Sequence, residues 1–152
     1  MTELDALHSR LPTPPRPQGG YVPAVVEAGT IWTAGMTPRV DGVLTYAGRV
    51  GADLTVDQAE QAAATAVENA LSAALSVVPA GERFGRVVHL RVYVNATQDF
   101  GEHSAVADGA SVRLRELLGE RGVAARVAIG VGSLPQGAVV EVELTCRLHG
   151  AG

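Results

Sequence analysis

Hydrophobic and polar residues alternate most clearly between Ala124 and Leu148, in two runs split by Ser133-Leu134-Pro135-Gln136-Gly137. A period of two marks β-strands, and the proline-glycine segment marks a turn between them. In the first run Val127, Ile129 and Val131 point one way, and Arg126, Ala128, Gly130 and Gly132 the other. In the second, Val140, Val142, Leu144, Cys146 and Leu148 share a face, opposite Glu141, Glu143, Thr145 and Arg147. A half-buried strand ordinarily carries large polar residues on its outer face. The first run instead offers one arginine followed by residues with almost no side chain. This predicts a shallow surface beside a guanidinium, with carboxylates on a later strand, suited to a small anion or to another chain. The plainer alternatives are a bulge or packing contact at the small residues and a solvent-exposed Arg126–Glu141 pair of little energetic weight.

The same reading applies from the N-terminus onward. Met1 to Arg10 suits a short helix, and the proline-rich Leu11 to Gly20 suits an extended arm. Tyr21–Glu27 and Thr30–Thr37 read as strands, and Asp41-Gly42 as a hairpin turn leading into a third strand over Val43–Arg49. Thr55 with Gln58 forms a capping-box pattern, which opens a long helix from about Val56 to Val78. Its Ala59, Ala62, Ala63, Ala66, Ala70, Ala73, Ala74 and Val77 give a broad small-residue face suited to lying close on a sheet. Arg86–Asn95 alternates as a strand, and a second helix runs from about Glu102 to Leu118 with Val106, Ala110, Leu114 and Leu117 inward. Strands grouped before and between helices predict an α+β fold: a mixed sheet of about six strands with two helices on one face. The expected organisation is an arm over residues 1–20 and a single domain over 21–150. The uncovered sheet face is expected to meet another subunit.

Composition narrows the chemistry. The chain has 152 residues, 47% of them hydrophobic, which suits one folded domain. A net charge of -4, the lack of any polybasic run and 4% aromatic content argue against nucleic acid as a partner. All 12 basic residues are arginine, so lysine-based Schiff-base chemistry is excluded. Cys146 is the only cysteine; no intrachain disulfide can form, and its place on the apolar face suits packing. His8, His89, His103 and His149 lack metal-ligand spacing. The N-terminus lacks a signal-peptide pattern, and no apolar run is long enough to cross a bilayer, so a cytoplasmic location and no membrane partner are expected.

Ala124-Ala125-Arg126, Leu134-Pro135 and Val140-Glu141-Val142 together closely resemble the signature of the Rid family of imine/enamine deaminases, also called YjgF or L-PSP proteins. Gly20 to Val25, Thr33-Ala34-Gly35 and Gln98-Asp99-Phe100 fit the same pattern, so the resemblance spans roughly Leu11 to Leu148 and looks like a divergent branch. It implies a chorismate-mutase-like fold, a homotrimer with ligand clefts between subunits, and a last strand inside the sheet rather than in a hairpin with its predecessor. It also implies that Arg126 holds the carboxylate of a 2-imino or 2-enamino acid and that Glu141 positions or activates water. Tyr21 would close the cleft, with Ala34, Gly35, Gln98 and Ala128 as further substrate-binding positions, and no metal or organic cofactor is needed.

Departures from the family pattern occur at Ala34 and Met36, where relatives often carry serine and glutamine, at Val127 and Ala128, where polar or cysteine residues are common, and at Gln98, where many relatives have asparagine. The primary expectation is hydrolysis of a small imino or enamino acid to a 2-keto acid and ammonia. The altered positions motivate an alternative, a non-catalytic trimer that binds a carboxylate metabolite. An endoribonuclease, an activity attributed to some relatives, is the reading that the charge supports least.

Overall fold

The structure is a computed structural model that describes residues 2–150; Met1, at the start of the expected first helix, lies outside the described residues. The first helix, α1 (Glu3–His8), opens with a capping box between Thr2 and Asp5. Leu7 is buried, and the Arg121 and Arg83 side chains both reach Glu3. The proline-rich segment then runs without regular structure. Pro12 is tied down where the buried Ser72 hydroxyl donates to its carbonyl at 2.6 Å.

Five strands make the main sheet: β1 (Ala24–Glu27), β2 (Thr30–Thr33), β5 (Phe84–Asn95), β6 (Ala125–Val131) and β7 (Val140–Leu148). Their spatial order is β1-β2-β7-β5-β6. β7 is therefore central, antiparallel to both β2 and β5, and β6 runs parallel to β5 at the sheet edge. This is the arrangement implied by the family resemblance. A hairpin between the last two strands would be the default for neighbours so close in sequence; the crossover through the second long helix makes β6 parallel instead.

The expected third strand of seven residues is not part of this sheet. A separate two-stranded hairpin, β3 (Arg39–Val40) and β4 (Val43–Leu44), stands there, with Asp41-Gly42 at its turn. Pro38 has no N–H to give a ladder. The buried Asn69 on the long helix captures the carbonyls of Thr37 and Arg39, at 3.1 and 2.9 Å, and holds the hairpin off the sheet. The count is thus five strands plus two rather than six in one sheet. Tyr21–Pro23 is likewise not strand, and β2 ends at Thr33 before a single further bridge, Met36 to Val142.

The two long helices, α2 (Val56–Ser76) and α3 (His103–Leu118), pack side by side on one sheet face. Thr55 and Gln58 cap α2 reciprocally, as their spacing requires. Its alanine face is fully buried against Val140, Val142, Leu144, Cys146 and Leu148 of β7 and the inward residues of β5. Gly109 lets α3 approach closely: a Cβ there would lie 2.0 Å from the Glu60 carbonyl oxygen on α2. Among the described residues the opposite sheet face carries no helix, and Val25, Trp32 and Ile129 on it are 48%, 43% and 46% exposed.

Candidate functional site

Strand register decides which candidate residues meet. On β5, Leu90 pairs with Arg126 on one side and Leu144 on the other; Tyr93 pairs with Ile129 and Glu141. Side chains alternate along a strand, so Arg126 shares the helix-covered face with Leu90 and Leu144. Glu141 stands on the open face. The expectation of one surface holding both groups is therefore corrected for a single chain, and so is the alternative of a direct Arg126–Glu141 pair.

Arg126 instead lies along α3. Its Nη1 donates to Asp108 Oδ1 at 2.7 Å and to Ser111 Oγ at 3.0 Å. Its Nη2 donates to Ser104 Oγ at 2.7 Å and to the Ser104 carbonyl at 3.4 Å. Ser104, Asp108 and Ser111 are spaced by four and three residues, so they form one polar stripe on the helix. Sequence reasoning weighed Ser104 only as a nucleophile, for which it lacks the context, and did not single out Asp108 or Ser111; the stripe beside Val106, Ala110 and Leu114 was the available signal. Arg126 is mostly covered, its side chain 21% exposed, whereas that of Asp108 is 59% exposed. Along the same face of β6, Ala128 and Gly130 follow. A Cβ on Gly130 would lie 2.6 Å from His103 Nε2, so the missing side chain makes room for that imidazole, which packs edge-on against Phe100. Next to Arg126, a cleft of about 310 Å³ has Leu90, Val112, Val123 and Ala124 as its apolar wall and Ser111 and Arg115 at its polar side.

The open face carries a second polar group. Arg91 Nε lies 3.4 Å from Glu143 Oε1, and the Tyr93 hydroxyl donates to the same oxygen at 3.1 Å. Burial, reinforced by the Glu143 charge, pushes the Tyr93 hydroxyl above its ordinary value. Glu141 is half-buried beside this group and makes no hydrogen bond or ion pair among the described residues. Burial raises its carboxyl above the ordinary 4.5, and the neighbouring Glu143 adds to the shift. Gly35 sits against it, where a Cβ would come within 2.7 Å of Glu141 Oε1. A carboxyl that is reluctant to ionise and free of partners suits proton transfer to a bound molecule.

The remaining candidates spread over the same sheet. Tyr21 is exposed just before β1, at the sheet edge opposite to β6. Ala34 N–H donates to the Pro23 carbonyl at 2.8 Å, which ties the Ala34-Gly35 segment to this edge. Gln98 is exposed in the turn after β5. Met36 is 7% exposed and part of the core, and Val127 faces away from Arg126, so neither lines the space around the guanidinium. Cys146 is buried and its thiol is pushed up to about 12 by burial, which removes it from nucleophilic chemistry.

The fold agrees with comparisons to known proteins. The profile of the family described as "YjgF/chorismate_mutase-like, putative endoribonuclease" matches residues 3–148, and the chain belongs to that family. Protein TCP17 of Trypanosoma cruzi is 35% identical over 147 residues, covering 96% of this chain and 92% of that protein. The crystal structure of an Agrobacterium tumefaciens protein of unknown function is 28% identical with a TM-score of 0.86, covering 96% and 94% of the two chains. One from Shewanella oneidensis, described as a "putative endoribonuclease", is 28% identical with a TM-score of 0.83, covering 97% and 99%. Members of this family are commonly trimeric. Among the described residues no helix is long and apolar enough to cross a membrane.

Proposed function

We propose that the protein is an imine/enamine deaminase whose clefts lie between protomers of a homotrimer. The observation that carries this reading is the split of the candidate groups across one sheet. Arg126 is on the edge strand β6, and Tyr21 precedes the edge strand β1. Four inter-strand spacings separate these edges, roughly 19 Å. Glu141 lies between them, on the face away from Arg126. One chain cannot close a site around these groups; the β6 edge of one protomer against the Tyr21, Gly35 and Glu141 side of the next can. An edge strand with unpaired backbone and an exposed Val25, Trp32 and Ile129 surface favour such contacts.

In this cleft the Arg126 guanidinium grips the substrate carboxylate. An enamine substrate takes a proton at carbon and becomes the imine. Water then adds to the imine carbon, its proton passing to Glu141, and the same carboxyl returns a proton to the leaving nitrogen. The added hydroxyl gives up its proton as the C=O bond forms and the C–N bond breaks; ammonia departs carrying both protons of the added water and a 2-keto acid remains, so overall one water is consumed and no electrons are exchanged. The raised proton affinity of Glu141 suits this alternation between acid and base.

The test is release of ammonia and keto acid from imino acids generated enzymatically in the assay. Wild type accelerates release over the spontaneous rate, and Arg126→Ala does not. Equal rates for both would overturn the reading. A second reading, a trimer that binds a carboxylate metabolite without turnover, is favoured by the lining of the Arg126 face, where Ala128 and Gly130 offer no group to handle water. Binding of 2-keto acids without any ammonia release would select it.

A further inference from the structure

The guanidinium of Arg126 has five N–H donors. Four acceptor contacts already engage Nη1 and Nη2, and one of the acceptors, Asp108, is itself a carboxylate at 2.7 Å. A second carboxylate cannot take the two-pronged hold on this fork while all four contacts persist. The partners differ in how readily they can leave. The Ser104 and Ser111 hydroxyls rotate and can donate as well as accept. Asp108 is exposed on the outer side of α3, and no other contact holds its carboxylate among the described residues.

We infer that Asp108 is a built-in competitor for the substrate's carboxylate: it occupies the seat on Arg126 in the empty protein and is displaced when an organic acid binds. This rests on the proposed role of Arg126 as the carboxylate anchor. The swap exchanges one charge-assisted pair for another, while Asp108 turns into water at little cost because it is already mostly exposed. The incoming carboxylate inherits a guanidinium aimed by Ser104 and Ser111 and pre-set to hold a carboxylate. Ligands that offer a single neutral acceptor gain nothing from displacing Asp108. The device therefore weakens affinity for every monocarboxylate by the strength of the internal pair, and it leaves their amides, which do not displace Asp108, unaffected. Asp108 is in this sense a residue that sets carboxylate affinity, acting through Arg126.

The experiment is calorimetric titration of the assembled protein with 2-ketobutyrate and with its uncharged amide. Wild type, Asp108→Asn, Asp108→Glu and Arg126→Ala are compared. Asp108→Asn keeps a hydrogen-bonding side chain but removes the competing charge, so its Kd for 2-ketobutyrate falls about tenfold. The amide's Kd is unchanged, and Asp108→Glu stays near wild type. Damage to the helix would weaken binding and could not produce a gain confined to the anion. If Asp108→Asn leaves the Kd within twofold of wild type or raises it, while Arg126→Ala abolishes binding, the competitor role is overturned and the anchor role stands. If Arg126→Ala binds 2-ketobutyrate as well as wild type, or if no variant binds it at all, both are overturned.

Discussion

Arg126 and Glu141 stand on opposite faces of one sheet, two strands apart, with β5 between them. Leu90, in register with Arg126, is buried under the helices, and Tyr93, in register with Glu141, faces the open side. Each group has the environment its proposed task needs. The arginine is braced by α3 and aimed along it. The glutamate is half-buried, has no hydrogen-bond or ion-pair partner among the described residues, and holds its proton more tightly than an ordinary carboxyl. In the proposed trimer, contact between chains turns these two arrangements into one cleft.

The contact between Gly35 and Glu141 gives a first test. A methyl group at Gly35 would meet the Glu141 carboxylate, with Oε1, Cδ and Cγ all closer than 3.0 Å. The carboxylate is the free end of a flexible side chain, so it moves rather than unfolding the strand. Gly35→Ala is expected to lose most of the deaminase rate while costing no more than about 1 kcal/mol of stability in urea denaturation. Unimpaired turnover would show that the position of Glu141 is immaterial.

Glu141 also predicts a pH dependence of stability. Its carboxyl in the folded protein holds a proton more tightly than the ordinary 4.5, through burial first and Glu143 second. The folded chain therefore binds more protons than the unfolded chain as pH rises from the unfolded value through the raised one, and stability falls across that window. The contribution is fully present below the unfolded value and lost above the folded one. Glu141→Gln has no charge to lose, so it should be more stable than wild type at neutral pH, with the advantage fading as the solution is acidified below the unfolded value. Denaturation midpoints of both proteins between acid and neutral pH check this; a constant difference would contradict the shift.

Gly109 separates helix propensity from packing. Replacing a glycine by alanine within an exposed helix ordinarily gains about 1 kcal/mol. Here the new methyl would stand 2.0 Å from the Glu60 backbone oxygen, which cannot rotate away. The two helices must part, and overpacking outweighs propensity, for a net loss of roughly 2 kcal/mol. A lowered urea midpoint is the expected outcome; a raised one would mean that the helices are less closely packed than described.

Much of this molecule was legible from residues alone, because the signals were local. The Thr55–Gln58 box, the alanine face of α2 and the alternation over Val140–Leu148 each fix their own element, and all three stand as read. The relation between Arg126 and Glu141 was not legible, because it depends on partners far away in sequence. Nothing in Ala125–Val131 specifies that Arg126 registers with Leu90; that follows from the length of the α3 crossover. The expected third strand failed for a similar reason. Asn69, some 30 residues away, takes the carbonyls of Thr37 and Arg39. Met36 looks like a cleft residue beside Ala34 and Gly35, yet its bridge to Val142 turns it into the core. Asp108 was readable only as part of a helix stripe, and its meaning appears once β6 is laid against that stripe.

The most direct test of a shared cleft is complementation between two inactive proteins. Arg126→Ala and Glu141→Gln are prepared separately, unfolded together in equal amounts and refolded, and ammonia release from an enzymatically generated imino acid is measured. If each cleft takes its arginine from one protomer and its glutamate from the next, random mixing restores about a quarter of the clefts, and about a quarter of wild-type activity returns. Activity no greater than that of the two parents, in mixtures shown to contain both chains in one oligomer, would place the chemistry within a single chain and contradict the account.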